Sequence, residues 1–205
     1  MTRVYDLTLH QVVLRALAFV IIVATHGAAV AIAARYLGDA GVEHDGRLTA
    51  SPVNHLDVVG FITAIVGLAG WTKSIEIDPA RLRFGAFGAL IVVLGGSLVS
   101  LFDGFIALWL RPWVVNLLPD SAATHAFAFI QVFAEMCFAT ALLNLLPVPP
   151  LTGALFLAAA APGWRAAIGR AGMYVGFALL ALALLGVLRA SLWPMIDSLM
   201  RIALG

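Results

Sequence analysis

Long apolar runs separated by short polar segments dominate this chain, and their lengths set the first expectations. Residues 10–35 stay largely apolar for a full membrane crossing, which takes about 20 residues. The run ends at "YLGD", where Gly38 suits the left-handed position that closes a helix. A polar stretch with Gly46 and Pro52 follows, and then a shorter apolar run, 56–70, containing three glycines and read as a thin or tilted crossing. Residues 87–110 predict a third helix stopping at Arg111-Pro112, and 124–146 a fourth stopped by "PVPP". A short apolar piece, 152–161, ends at Pro162-Gly163; 172–188 predicts the last crossing, and an amphipathic tail follows Pro194. Ser74, Ile75, Glu76, Ile77 and Asp78 alternate before Pro79, which is a strand pattern. Pairing with "RLT" at 47–49 would make a short β-hairpin. The expected fold is an all-α integral membrane protein of about five transmembrane helices, with that hairpin between helices 2 and 3 and a half-helix after "PVPP".

Composition sharpens this picture. Of 205 residues, 62% are hydrophobic and only 11% charged, against about 25% in soluble domains. The length allows a single transmembrane domain over 1–205, with a core at about 10–161 and a C-terminal span and tail at 172–205. A net charge of +1 without a basic run offers nothing to nucleic acid. The single Cys137 cannot form an internal disulfide. The first apolar run is too long for a secretory leader and is interrupted by Arg15 and His26, so it reads as a membrane helix. Counted over five crossings, Lys and Arg divide six against five, leaning toward a cytoplasmic N-terminus in a bacterial inner membrane.

Four features carry candidate chemistry. His26 lies in the inner half of the first helix, where an ionisable group is costly and hints at function. "NLLPVPPLTG", Asn144 to Gly153, sets three prolines at a helix end before a half-helix. Irregular backbone at membrane depth is tolerated only against protein or a cavity, although a simple helix terminator would look the same. Asp103 and Glu135 are acids within apolar helices. Asp103 sits near the interface and Glu135 pairs with Gln131 one turn away, or else both reach a partner helix or relay protons.

"NLLPVPPLTG" resembles the third motif of the site-2 protease family of intramembrane zinc metalloproteases, N-x-x-P-x-P-P-L-D-G, at every position but the aspartate. Other stretches follow in family order. "AARYLGD" resembles the segment after the HExxH helix, "GRLTASPVNHLDVVG" the G-R-L-T-x-N-P-x-x-H-x-D-P-x-G stretch, "GWTKSIEIDPARLR" the G-W-x-K-P-V-x-V-x-P-x-x-L-R stretch, and "LGGSLVSL" the A-G-P-x-x-N motif. The resemblance covers nearly the whole chain. Anchored on Leu37-Gly38-Asp39, it places His26 on the first histidine of HExxH.

That alignment implies a degenerate centre. Gly27 replaces the general base, Val30 the second zinc ligand, and Thr152 the aspartate that supplies the third. A catalytic zinc takes about three protein ligands plus water, and without a carboxylate at 27 nothing accepts the proton of an attacking water. The expectation is a pseudoprotease with no catalytic residues and no cofactor, its zinc site lost. His26 would instead hydrogen-bond to Thr152, Asn144 or a trapped water, and the Thr152 hydroxyl is placed to cap the half-helix. Such a chain would serve as an accessory or assembly subunit in the lipid bilayer, binding transmembrane helices of other proteins in a larger complex. Asp103, Glu135, Asn144 and Trp193 are its candidate partner contacts. The apolar face of the tail (Leu192, Met195, Ile196, Leu199, Ile202, Ala203) would lie on the bilayer or dock on a neighbour. The alternative is a diverged metallohydrolase or metal-binding protein with a site rebuilt near His26, for which His55, Cys137, Glu135 and Asp103 are candidate ligands.

Overall fold

The computed structural model describes residues 7–204. The chain is all-helical, and four of its described helices are long and apolar enough to cross a membrane: α1 (Leu9–Tyr36), α5 (Ala86–Leu117), α6 (Asp120–Asn144) and the segment Pro162–Leu184. The last comprises a 3-10 turn, Pro162–Trp164, and α8 (Arg165–Leu184). The short helices are α2 (Gly41–His44), α3 (Pro52–His55), α4 (Val58–Gly67) and α7 (Ala154–Ala160), and α9 (Val187–Leu204) closes the chain. Thr8 caps α1 by accepting from the Gln11 N–H, and Gly38, at φ +115°, turns the chain out of it.

The second apolar run does not cross. Ten residues of α4 rise only about 15 Å, half of the ~30 Å hydrocarbon core. Leu68, left-handed at φ 69°, ends the helix, and the chain returns extended beside it. A Cβ at Gly70 would overlap the Gly60 carbonyl, and one at Gly60 would overlap that of Trp71, so backbone meets backbone where both lack side chains. The Lys73 N–H then bonds to the His55 carbonyl at 2.7 Å, beside an isolated antiparallel bridge from Leu56 to Thr72. Further out, the Arg83 N–H bonds to the Leu37 carbonyl and the Asp78 N–H to Asp39. The chain therefore enters and leaves this excursion at the Tyr36 end of α1. The count of six cations against five assumed a full crossing here, and that premise falls.

Residues 74–78 take no regular secondary structure, the Ile77 N–H turning back to the Ile75 carbonyl at 2.9 Å, and no hairpin is seen among the described residues. The proposed partner strand folds on itself: the Arg47 N–H bonds to the Val42 carbonyl, the Arg47 guanidinium to the Asn54 carbonyl, and the Thr49 carbonyl accepts from the His55 ring. Two further boundaries differ. α5 continues through Pro112 to Leu117, as membrane helices tolerate where neighbours re-satisfy the freed carbonyl. α9 begins at Val187 with Pro194 inside it, and its Ile196 and Met200 are buried in the bundle's own core with Leu108, Ile130 and Phe138. Part of the tail's apolar face is therefore covered by its own chain.

Candidate functional site

Small residues decide where α1 and α5 touch. A Cβ on Gly96 of α5 would come within 3.0 Å of the His26 ring and 2.5 Å of Val30, so the two helices meet backbone to side chain at that level. His26 is wholly buried there. Its Nδ1 lies 3.0 Å from Ser100 Oγ on α5, and its Nε2 lies 3.2 Å from Thr152 Oγ1, just ahead of α7.

A consistent set of donors and acceptors follows from these distances. With the proton on Nδ1, His26 donates to Ser100 Oγ, and Ser100 donates to the Gly96 carbonyl at 3.3 Å. Nε2 then accepts from the Thr152 hydroxyl. The Thr152 N–H donates to Asn144 Oδ1 at 3.3 Å, an oxygen that also lies 3.3 Å from the Thr152 hydroxyl. Asn144 Nδ2 donates to the Gly70 and Thr140 carbonyls, both at 2.9 Å. The returning strand of the α4 excursion thus has one of its carbonyls satisfied by the helix that leads into "PVPP". Five segments meet through one buried polar network: α1, α5, α6, the return strand and the turn before α7.

The positions singled out by the resemblance do come together. Val30 and Thr152 line the same cleft, and His26 touches Thr152. Gly27 faces the other way, where a Cβ would overlap the His55 ring. Beside His26 the side chains are two hydroxyls and a valine, and among the described residues no three His, Cys, Asp or Glu side chains gather as a metal ion would require. That donor set does not fit zinc. The half-helix is capped by Gly153, not by the Thr152 hydroxyl, which is committed to His26 and Asn144.

Glu135 accepts from Gln131 at 2.9 Å, one turn away on α6. Asp103 keeps one carboxylate oxygen buried without a partner among the described residues. Asn144 is buried and turned into the network, while Trp193 stands at the surface with the Arg189 guanidinium 5.2 Å over its ring. Sequence reasoning missed Ser100, although "GGSLVS" puts Gly96 and Ser100 one turn apart on one helix face.

The cleft beside Thr152 encloses about 390 Å3. One wall is the irregular segment from Thr72 to Ile77, another is Pro149 to Leu155, and the third is the first half of α8 with Arg165 and Gly169. Along the first wall, the N–H groups of Ser74, Ile75 and Glu76 have no partner among the described residues. At the mouth, Arg165 pairs with Asp78 at 3.0 Å and ties α8 to that segment. The Asp78 carboxyl is held below its ordinary range by the Ala80 N–H, and then by Arg165 and Arg81.

Compared with known proteins, the chain is 29% identical over 177 residues to "Putative zinc metalloprotease YwhC" of Bacillus subtilis (strain 168), covering 84% of this chain and 81% of the relative. No family model matches the chain, and no solved structure matches it. This likeness, over 84% of the chain, to a protein named a putative zinc metalloprotease is consistent with the site-2 protease relationship that the motifs imply.

Proposed function

We propose that this site-2-protease-like membrane protein is a non-catalytic member of that group, which uses the protease scaffold to hold a segment of another membrane protein within a larger complex. One observation carries the reading: both ring nitrogens of His26 are engaged by hydroxyls, Ser100 and Thr152, where a zinc enzyme needs a free imidazole and further ligands. The spaces of the missing groups are also filled. Val30 packs against Gly96, and the His55 ring occupies the room beside Gly27. A closed network of this kind binds five segments together and leaves no group in place to activate water.

The cleft supports the binding half of the proposal. Unpaired N–H groups at Ser74 to Glu76 are free to bond to the backbone of a partner segment, and peptide recognition draws affinity from main-chain bonds of this kind. A transmembrane segment unwound at that point would satisfy its backbone there. Orientation follows from regrouping the charges. Arg35, Arg47, Lys73, Arg81, Arg83, Arg165 and Arg170 gather at the Tyr36 end, while Arg111 and, in the first turn of α9, Arg189 mark the other end. The Tyr36 end then faces the cytoplasm of a bacterial inner membrane and the start of α1 faces away, opposite to the lean of the earlier count.

Purification from native membranes in mild detergent tests the reading. A stoichiometric membrane-protein partner is expected, and Ser74→Pro, which removes one of these exposed N–H groups, should release it without unfolding the bundle. A bare monomer with no stoichiometric partner would sink the assembly role. The name of the Bacillus relative favours a second reading, a metallohydrolase rebuilt near His26. About one zinc per chain, lost on His26→Ala, would support it.

A further inference from the structure

The far end of the bundle carries another pair of imidazoles, unrelated to His26. His10 stands in the first turn of α1 and His125 in the second turn of α6. Their rings lie side by side with centroids 5.7 Å apart and planes inclined by 57°. Both side chains are exposed, and neither ring hydrogen-bonds to another group among the described residues.

The spacing suits a shared ligand. Two imidazoles on one tetrahedral ion hold their centroids about 5 Å apart, since each nitrogen stands about 2.0–2.1 Å from the metal and each ring centre roughly 1 Å beyond. Small rotations of two exposed side chains close the difference. We propose that His10 and His125 form a surface site for a divalent transition metal of the kind imidazole favours, Zn2+, Ni2+ or Cu2+, with water completing the shell. Such an ion would clip the start of α1 to the start of α6, the two helices whose inner halves carry His26 and Asn144. Because only the folded chain holds the rings together, occupancy stabilises the bundle by mass action.

The site stands independently of the non-catalytic reading, and it bears on how metal content is interpreted. The test uses protein without a polyhistidine tag, in mild detergent, dialysed against zinc or nickel salts, with metal content and melting temperature read together. The expected result is one ion per chain and a raised melting temperature. His10→Ala or His125→Ala should each weaken uptake at least tenfold and abolish the thermal gain, while His26→Ala changes neither. Copper loading should give an electron paramagnetic spectrum with two imidazole nitrogens in the wild type only. No uptake, or uptake that survives both end substitutions, or uptake lost only with His26→Ala, would overturn the proposal.

Discussion

At the scale of single residues, the site is a problem of room and of satisfied donors. Gly27 has no space for any side chain because the His55 ring lies against its Cα. Gly27→Ala should therefore destabilise by about 1–3 kcal/mol, the usual cost of overpacking, and His55→Ala should recover part of that loss in the double variant. Gly27→Glu should cost more, since it adds an unpaired carboxylate at depth, roughly 2.5–3.5 kcal/mol for a comparable charge at a helix centre. Thermal unfolding in detergent reads both, and a Gly27→Ala variant as stable as wild type would show that the ring yields freely. Thr152→Val keeps the volume but leaves His26 Nε2 without its hydroxyl, a loss of about 1–3 kcal/mol for a buried unsatisfied group. Equal stability of Thr152→Val and wild type would remove that bond from the account. The positions of His26, Gly27, Val30 and Thr152 were legible in the sequence because motif order fixed them. Ser100 and His55 were not, since what they touch depends on how closely α5 and the α3 turn approach α1.

Elements show where pattern alone misleads. The run 56–70 had the apolarity of a crossing, yet its glycines mark backbone contact with its own return strand. Arg15, which in the sequence only interrupts an apolar run, reaches across from α1 to the Ile65 carbonyl at 2.7 Å and the Val66 carbonyl at 3.4 Å. Those carbonyls lie at the open end of α4, where a cation both bonds and opposes the helix dipole. Arg15→Leu should loosen the excursion by about 1.5–3 kcal/mol, the range for hydrogen bonds to charged groups, and faster amide exchange confined to α4 would report it. The pairing of α8 with the irregular wall of the cleft is pH-dependent with a definite sign. A carboxyl whose folded pKa is depressed holds its full contribution above its ordinary value near 3.9 and loses it as pH falls through the lower folded value. The distance between spin labels on Glu76→Cys and Gly169→Cys, both at the cleft, in a Cys137→Ala background should therefore change only in strong acid, reaching there the value that Asp78→Asn shows at neutral pH. A distance change centred near pH 6–7 would assign the latch to another group.

For the molecule as a whole, the four long apolar helices and the half-helix after "PVPP" were readable because apolar length and proline are local signals, whereas the fifth expected crossing was not found. The excursion and the orientation were not, because they depend on which ends of the elements meet. Single cysteines placed in a Cys137→Ala background give the orientation directly: Asp45→Cys and Gly163→Cys should label from the cytoplasm and Leu118→Cys from the opposite side, and the reverse pattern would invert the bundle. In the proposed reading, the protease centre has become a hydroxyl-locked core with no metal. Its most direct measurement is the zinc content of the His10→Ala/His125→Ala variant, purified from native membranes without a tag, beside the same variant carrying His26→Ala. The expected result is no stoichiometric zinc in either protein. About one zinc per chain in the first and none in the second would contradict the claim and place a working metal at His26.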